Sequence, residues 1–186
     1  MFKVQRPSRH LKGLTDVQQK RAVLSFSKAG NNNLTEAFKD NVALDLAGIR
    51  ASELSARQRQ EMLELAALYI GNMDDGHARV KMEEVKRHLD STYFAWIGGT
   101  DADSVFYYRI QSPVILIEFD HQTPANLRQL AANPNVPNHE HIHVVVRTPN
   151  GNDYGKDLFR QHYVNSGMTA EGNRPISSAA GRLFLL

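Results

Sequence analysis

Apolar residues recur at spacings of three and four through the first half of the chain, then shift to alternating runs after about residue 92. Thr15-Asp16-Val17-Gln18 fits a capping box, in which a Thr hydroxyl and a Gln side chain satisfy free backbone N–H groups. It predicts a helix from about 16 to 27. Residues 28–41, "KAGNNNLTEAFKDN", are turn-rich. Ser55-Ala56-Arg57-Gln58 is a second capping box, and the helix behind it is expected to bury Met62, Leu65, Ala66, Tyr69 and Met73. In 73–90, Ala78, Met82, Val85 and Leu89 form a narrow apolar stripe on a third helix. His77 and His88, with Lys81 and Glu84 between them, fall on its charged surface and read as a solvated face.

Strand patterns follow at 92–98, 105–110, 113–119 and 141–147, rich in aromatic and β-branched residues. A Gly/Asp loop joins the first two. Residues 123–132 predict a short helix with Pro124 in its first turn, and 133–138 a Pro/Asn loop. Residues 148–155 form a turn, 156–165 a C-terminal helix, and the closing "LFLL" packs a tail onto the body. Helices first and strands later predict an α+β fold, a mostly antiparallel sheet between N-terminal helices and a C-terminal helix. One domain over 1–186 is expected, with a helical part at about 13–90 and a sheet part at about 92–165.

Composition narrows the function classes. The chain has 186 residues, enough for a sizeable core, with 41% hydrophobic and 23% charged residues. It has no cysteine, which excludes disulfides, thiolate metal sites and a cysteine nucleophile. The net charge of +2 is spread along the chain, so no nucleic-acid partner is expected. The basic N-terminus lacks the apolar core of a signal peptide, and the longest apolar run, Val114–Ile117, is far too short to span a membrane. A cytoplasmic location and no membrane partner are expected. Candidate partners are a small molecule and a second copy of the chain.

The chemistry concentrates in "NHEHIHVVVR" (138–147), which holds three of the eight histidines. Strand alternation puts His141, His143, Val145 and Arg147 on one face and Ile142, Val144 and Val146 on the other, the expected core face. If the strands are neighbours, Tyr107, Arg109, Glu118, His141, His143 and Arg147 collect on one polar face. Two histidines at i and i+2 with a carboxylate from the next strand suit an open three-ligand site for Zn²⁺, Fe²⁺ or Mn²⁺. His141, His143 and Glu118 are that set, with His121 as a further ligand or supporting partner. Such a metal activates water or polarises a carbonyl. Arg109 and Arg147 suit a carboxylate or phosphate, or pair with Glu118 and Asp120 as structural bridges. Asp153 is a helix cap or a general base.

A second pattern is His-x-His-x-His before apolar residues, similar to the histidine-triad nucleotide hydrolases. That resemblance implies a nucleophilic His141 acting on phosphorus. Glu140, where an apolar residue is expected, and the short gap after the preceding helix depart from it.

A longer resemblance covers most of 13–163. Residues 71–122, with "TYFAWIGGTDADSVFYYRIQSPVILIEFDHQ", and 140–163, "EHIHVVVRTPNGNDYGKDLFRQHY", resemble the C-terminal half of the family catalogued as domain of unknown function 3500. That family's members are usually longer, with an upstream aromatic–Arg strand leading into Gly-His-His. The resemblance implies that "FYYRIQSP" and "VILIEF" are the second copy of this arrangement and that the chain begins after the first. It implies either half of a two-part site, as in a fragment or inactive paralogue, or a site complete in the histidine strand. The expected motif residues Arg109, Glu118, His141, His143, Arg147, Asn152, Asp153 and Tyr154 are all present.

The leading expectation is a metal-dependent hydrolase or oxidoreductase acting on a small polar or anionic substrate. His141, His143 and Glu118 would hold the metal, Arg147 and Asp153 would be catalytic, and Tyr107, Arg109, Asn152 and Tyr154 would bind substrate. The competing expectation is a non-catalytic binding module or the partner half of a larger domain.

Overall fold

The computed structural model describes residues 2–35, 43–101, 103–124 and 135–149. Its elements run α1 (Phe2–Lys12), α2 (Asp16–Ala22), β1 (Val23–Ser25), β2 (Ile49–Arg50), α3 (Ala56–Ile70), α4 (Asp75–Arg87), β3 (Tyr93–Gly98), β4 (Phe106–Gln111), β5 (Leu116–His121) and β6 (Ile142–Arg147). This is the α+β arrangement expected. The predicted helices at 123–132 and 156–165, and the "LFLL" tail, fall wholly or mainly outside the described residues.

Both capping boxes form. Thr15 and Ser55 accept the backbone N–H of Gln18 and Gln58, and each Gln side chain accepts the cap residue's N–H in return. The helix predicted to reach residue 27 ends at Ala22. Val23–Ser25 turn extended and pair parallel to β3, so a β-suited Val-Leu-Ser run joins the sheet. Met62, Leu65, Ala66 and Tyr69 are buried as expected, but Met73 lies past the helix end and is exposed. The α4 stripe packs as read, with Val85 buried and Ala78, Met82 and Leu89 against the core.

The sheet order is β1-β3-β4-β5-β6, with β2 also on β3. All pairings but β1–β3 are antiparallel. Gly48 leads into β2 at φ +92°, where a Cβ would lie 2.0 Å from the Phe94 carbonyl oxygen, so only glycine fits.

Register sorts the faces. Phe94–Ile110–Ile117–Val146 and Trp96–Tyr108–Phe119–Val144 are cross-strand rows on one face. Their β3–β5 members are buried in the cluster that includes Leu11, Met62, Leu65, Tyr69 and Ile70 from the helices. Trp96 stacks on Phe106 with centroids 4.4 Å apart, and Tyr108 on Phe119 at 5.4 Å. A buried hydrogen bond between the Tyr69 and Tyr108 hydroxyls ties α3 to the sheet.

One expectation needs correction here. Ile142, Val144 and Val146 are in phase with the core face but are 36%, 46% and 36% exposed. β6 ends the strand order, and the buried cluster stops at β5.

Candidate functional site

The opposite face carries the polar residues, as alternation predicted. Its rows are Ala95–Arg109–Glu118–Val145, Ile97–Tyr107–Asp120–His143 and Tyr93–Gln111–Leu116–Arg147. Tyr107, Arg109, Glu118, His143 and Arg147 therefore share one side, with His141 just before β6. This face is neither washed by solvent nor uniformly open. Tyr107, Arg109, Gln111, Glu118 and Asp120 are buried, whereas His143 is exposed and His141 and Arg147 are half-buried.

Arg109 and Gln111 donate to the Asp45 and Leu44 carbonyls, and over Glu118 and Asp120 lies the segment 28–35, "KAGNNNLT", whose local pattern signals only turns. Its backbone is held by the two carboxylates of β5. Glu118 Oε1 accepts the Leu34 N–H at 2.9 Å and the Tyr107 hydroxyl at 2.7 Å. Glu118 Oε2 accepts the Thr35 N–H at 2.9 Å and the Thr35 hydroxyl. Asp120 Oδ2 accepts the N–H groups of Asn32 at 2.6 Å and Asn33 at 3.1 Å, and the Gln122 amide at 3.0 Å. Lys28 Nζ lies 2.8 Å from Asp120 Oδ1, both side chains being buried. That contact is an ion pair without hydrogen-bond alignment at Oδ1.

Residues spaced i and i+2 on one strand thus grip successive N–H groups of this strap. Two acidic groups on the same strand face were visible in "LIEFDH". Their partners, some 83 to 88 residues earlier, carried no local signal.

The expected metal set does not assemble. Glu118 spends its oxygens on Leu34, Thr35 and Tyr107, and among the described residues no three His, Cys, Asp or Glu side chains gather as a metal-ligating group. What remains is a pair: His141 Nε2 and His143 Nε2 are 3.1 Å apart, with ring centroids at 4.8 Å. His121 is not with them. It lies buried on the apolar face, its Nδ1 3.0 Å from the backbone of Phe106. Burial lowers its pKa to about 4, against a smaller opposing effect of the Phe106 backbone.

His139 also turns away. Its Nε2 meets the Asp103 carbonyl at 2.8 Å, and its ring meets His121 edge-on at 4.9 Å. The three alternating histidines therefore do not line up as a histidine triad would require.

The other site residues divide similarly. Arg109 sits opposite Glu118 in register but donates to the Asp45 carbonyl at 3.2 Å, and among the described residues its Nε has no partner. No ion pair joins Arg109 or Arg147 to Glu118 or Asp120 among the described residues. Burial, then the charge of Glu118, pushes the Tyr107 phenol well above its ordinary value, so it is a hydrogen-bond donor here. Asn152, Asp153 and Tyr154 lie outside the described residues.

With this geometry in place, the comparisons with known proteins add one relationship. The family model described as protein of unknown function, DUF3500, matches residues 5–156. The chain belongs to that family. No curated protein and no solved structure matches it. Within this DUF3500 chain, the match takes in the strap, both β5 carboxylates and the histidine strand. No helix among the described residues is long and apolar enough to cross a membrane.

Proposed function

We propose that this DUF3500 protein binds one divalent metal ion through His141 and His143 and acts as a metal-dependent hydrolase or oxidoreductase on a small polar or anionic substrate. The observation that carries the reading is the 3.1 Å separation of the two Nε2 atoms. Two imidazole ligands of one tetrahedral ion stand about 3.3 Å apart, close to the spacing of these two nitrogens, whose mutual hydrogen bond the ion would replace. The donor set fits Zn²⁺, Fe²⁺ or Mn²⁺ in part: two neutral imidazoles, with Glu118 withdrawn from the set.

A bound ion there supplies Lewis acidity for activating water or polarising a carbonyl. Arg147, on the same strand face, would neutralise an anionic substrate group. Asp153 would supply a base, and Asn152 and Tyr154 substrate contacts. In this reading Tyr107 moves from substrate binding to supporting the strap through Glu118, and Arg109 to holding the Asp45 carbonyl.

A second reading, a non-catalytic binding module, is favoured by one observation. The strap already satisfies Glu118 and Asp120, so the buried half of the polar face serves cohesion rather than catalysis.

Elemental analysis of purified protein, before and after incubation with each of the three ions, separates the readings. One equivalent of metal in the wild type, lost in the His141→Ala/His143→Ala variant, is the expected result. Protein that carries no metal and takes up none of the three ions overturns the metal reading.

A further inference from the structure

A cavity lies away from the histidine strand, between α1 and α3. It has a volume of about 380 Å³ and is lined by Arg9, His10, Arg57, Gln60, Glu61 and Glu64. That size falls at the small end of the ~300–1,000 Å³ typical of small-molecule sites. The α3 members recur at i, i+3, i+4 and i+7, so they form a single stripe facing α1.

His10 is the unusual member. Its side chain is 2% exposed, and among the described residues neither ring nitrogen has a hydrogen-bond partner. The nearest acidic atom, Glu61 Oε2, is 3.9 Å from Nδ1. The ring is fixed by edge-on packing against Phe94, with centroids 4.9 Å apart. Buried polar groups in folded proteins are nearly always bonded, so a cavity-lining imidazole whose two buried nitrogens are unpartnered points to a ligand that reaches the ring. Burial lowers the His10 pKa to about 4, against a smaller effect of Glu61, so the ring offers one donor and one acceptor at neutral pH.

The charges on the rim narrow the ligand class. Arg57 and Glu61 neutralise each other through a 3.1 Å ion pair. Arg9 makes no ion pair among the described residues. Glu64 makes none either and accepts only the Gln60 amide, at 3.3 Å. Among the described residues, one unpaired cation and one unpaired anion therefore stand beside an unpartnered, neutral imidazole.

We propose that this cavity is a second ligand site, taking a zwitterionic α-amino acid with a hydrogen-bonding side chain. Its carboxylate meets Arg9, its ammonium meets Glu64, and its side chain bonds to His10. The site is separate from His141 and His143 and does not depend on the metal reading.

L-glutamine is a suitable probe, because its side-chain amide both donates and accepts. Its titration is followed through the His10 imidazole resonances of the full chain, alongside N-acetyl-L-glutamine, which lacks the ammonium, and L-glutamine amide, which lacks the carboxylate. The expected result is a saturable His10 shift with L-glutamine, and binding about tenfold weaker for each analogue. Arg9 and Glu64 are exposed, so Arg9→Gln and Glu64→Gln test the site without threatening the fold. Each should weaken L-glutamine about tenfold. No saturable shift at His10, or equal binding by the analogues or by both variants, overturns the proposal.

Discussion

Glu118 holds Thr35 twice, accepting its backbone N–H and its hydroxyl across 83 residues of sequence. With Leu34 and Tyr107, four donors converge on this buried carboxylate. Losing the acceptor strands all of them, and an unsatisfied buried donor costs far more than a net hydrogen bond gains. Glu118→Ala should lose about 3–5 kcal/mol of stability, and Tyr107→Phe, which removes one donor, about 1 kcal/mol. Urea denaturation measures both. Glu118→Gln should leave metal uptake at His141 and His143 unchanged wherever the variant is folded. Loss of uptake in that variant would restore Glu118 as a ligand.

Lys28 and Asp120 form a buried pair beside that clasp, 2.8 Å apart. Such a pair adds little net stability over an apolar replacement, yet removing one partner strands a buried charge. Lys28→Met alone should therefore cost about 3–5 kcal/mol, and Lys28→Met with Asp120→Asn distinctly less than the sum of the singles. Additive losses would show that the two charges do not compensate each other.

The legible parts of this protein were those written locally. Both capping boxes, the α4 stripe and the four long strands follow from spacing over a few residues. Strand alternation also sorted Tyr107, Arg109, Glu118, His143 and Arg147 onto one face correctly. β1 and β2 escaped because three and two residues carry no periodicity, and Val23–Ser25 continue an apolar helix pattern into a strand. The role of Glu118 escaped for a different reason. A carboxylate beside histidines in a sheet suits a metal equally well, and only the return of Asn32–Thr35 over the face decides which partner it takes. Alternation gave Ile142, Val144 and Val146 their face but not their exposure, because coverage depends on how far the helical layer extends.

The two buried imidazoles set an acid limit on stability. His10 and His121 each have a folded pKa of about 4 against 6.5 for the unconstrained ring, chiefly through burial. Glu61 opposes the shift at His10, and the Phe106 backbone and Asp120 oppose it at His121, where His139 and Lys28 reinforce it. Between those values the unfolded chain binds more protons than the folded one, so stability rises with pH in this window. The contribution is complete above about pH 6.5 and is lost as pH falls towards 4, at most about 3 kcal/mol per ring. Urea midpoints at pH 7.5 and pH 5 should differ accordingly, and His10→Leu should flatten part of the difference. A wild-type midpoint independent of pH over this range would mean that neither ring is held neutral by the fold.

The two capping boxes also cap each other. Gln18 and Gln58, each the last residue of its box, exchange side-chain amide hydrogen bonds at 3.2 and 2.9 Å. The remaining amide contacts go to Glu53 and Gly13 carbonyls, at 3.0 and 2.9 Å, so the starts of α2 and α3 are fastened at one point. A capping residue acting only on its own helix would contribute independently of the other. Here the partner is shared, and truncating either amide leaves the other half-satisfied. Gln58→Ala, at a buried site, should cost about 2 kcal/mol and Gln18→Ala, half-exposed, about 1 kcal/mol. The double variant should lose about 1 kcal/mol less than the sum, a coupling that a double-mutant cycle in urea resolves. A coupling near zero would mean the boxes stabilise α2 and α3 separately and the amide pair contributes nothing of its own.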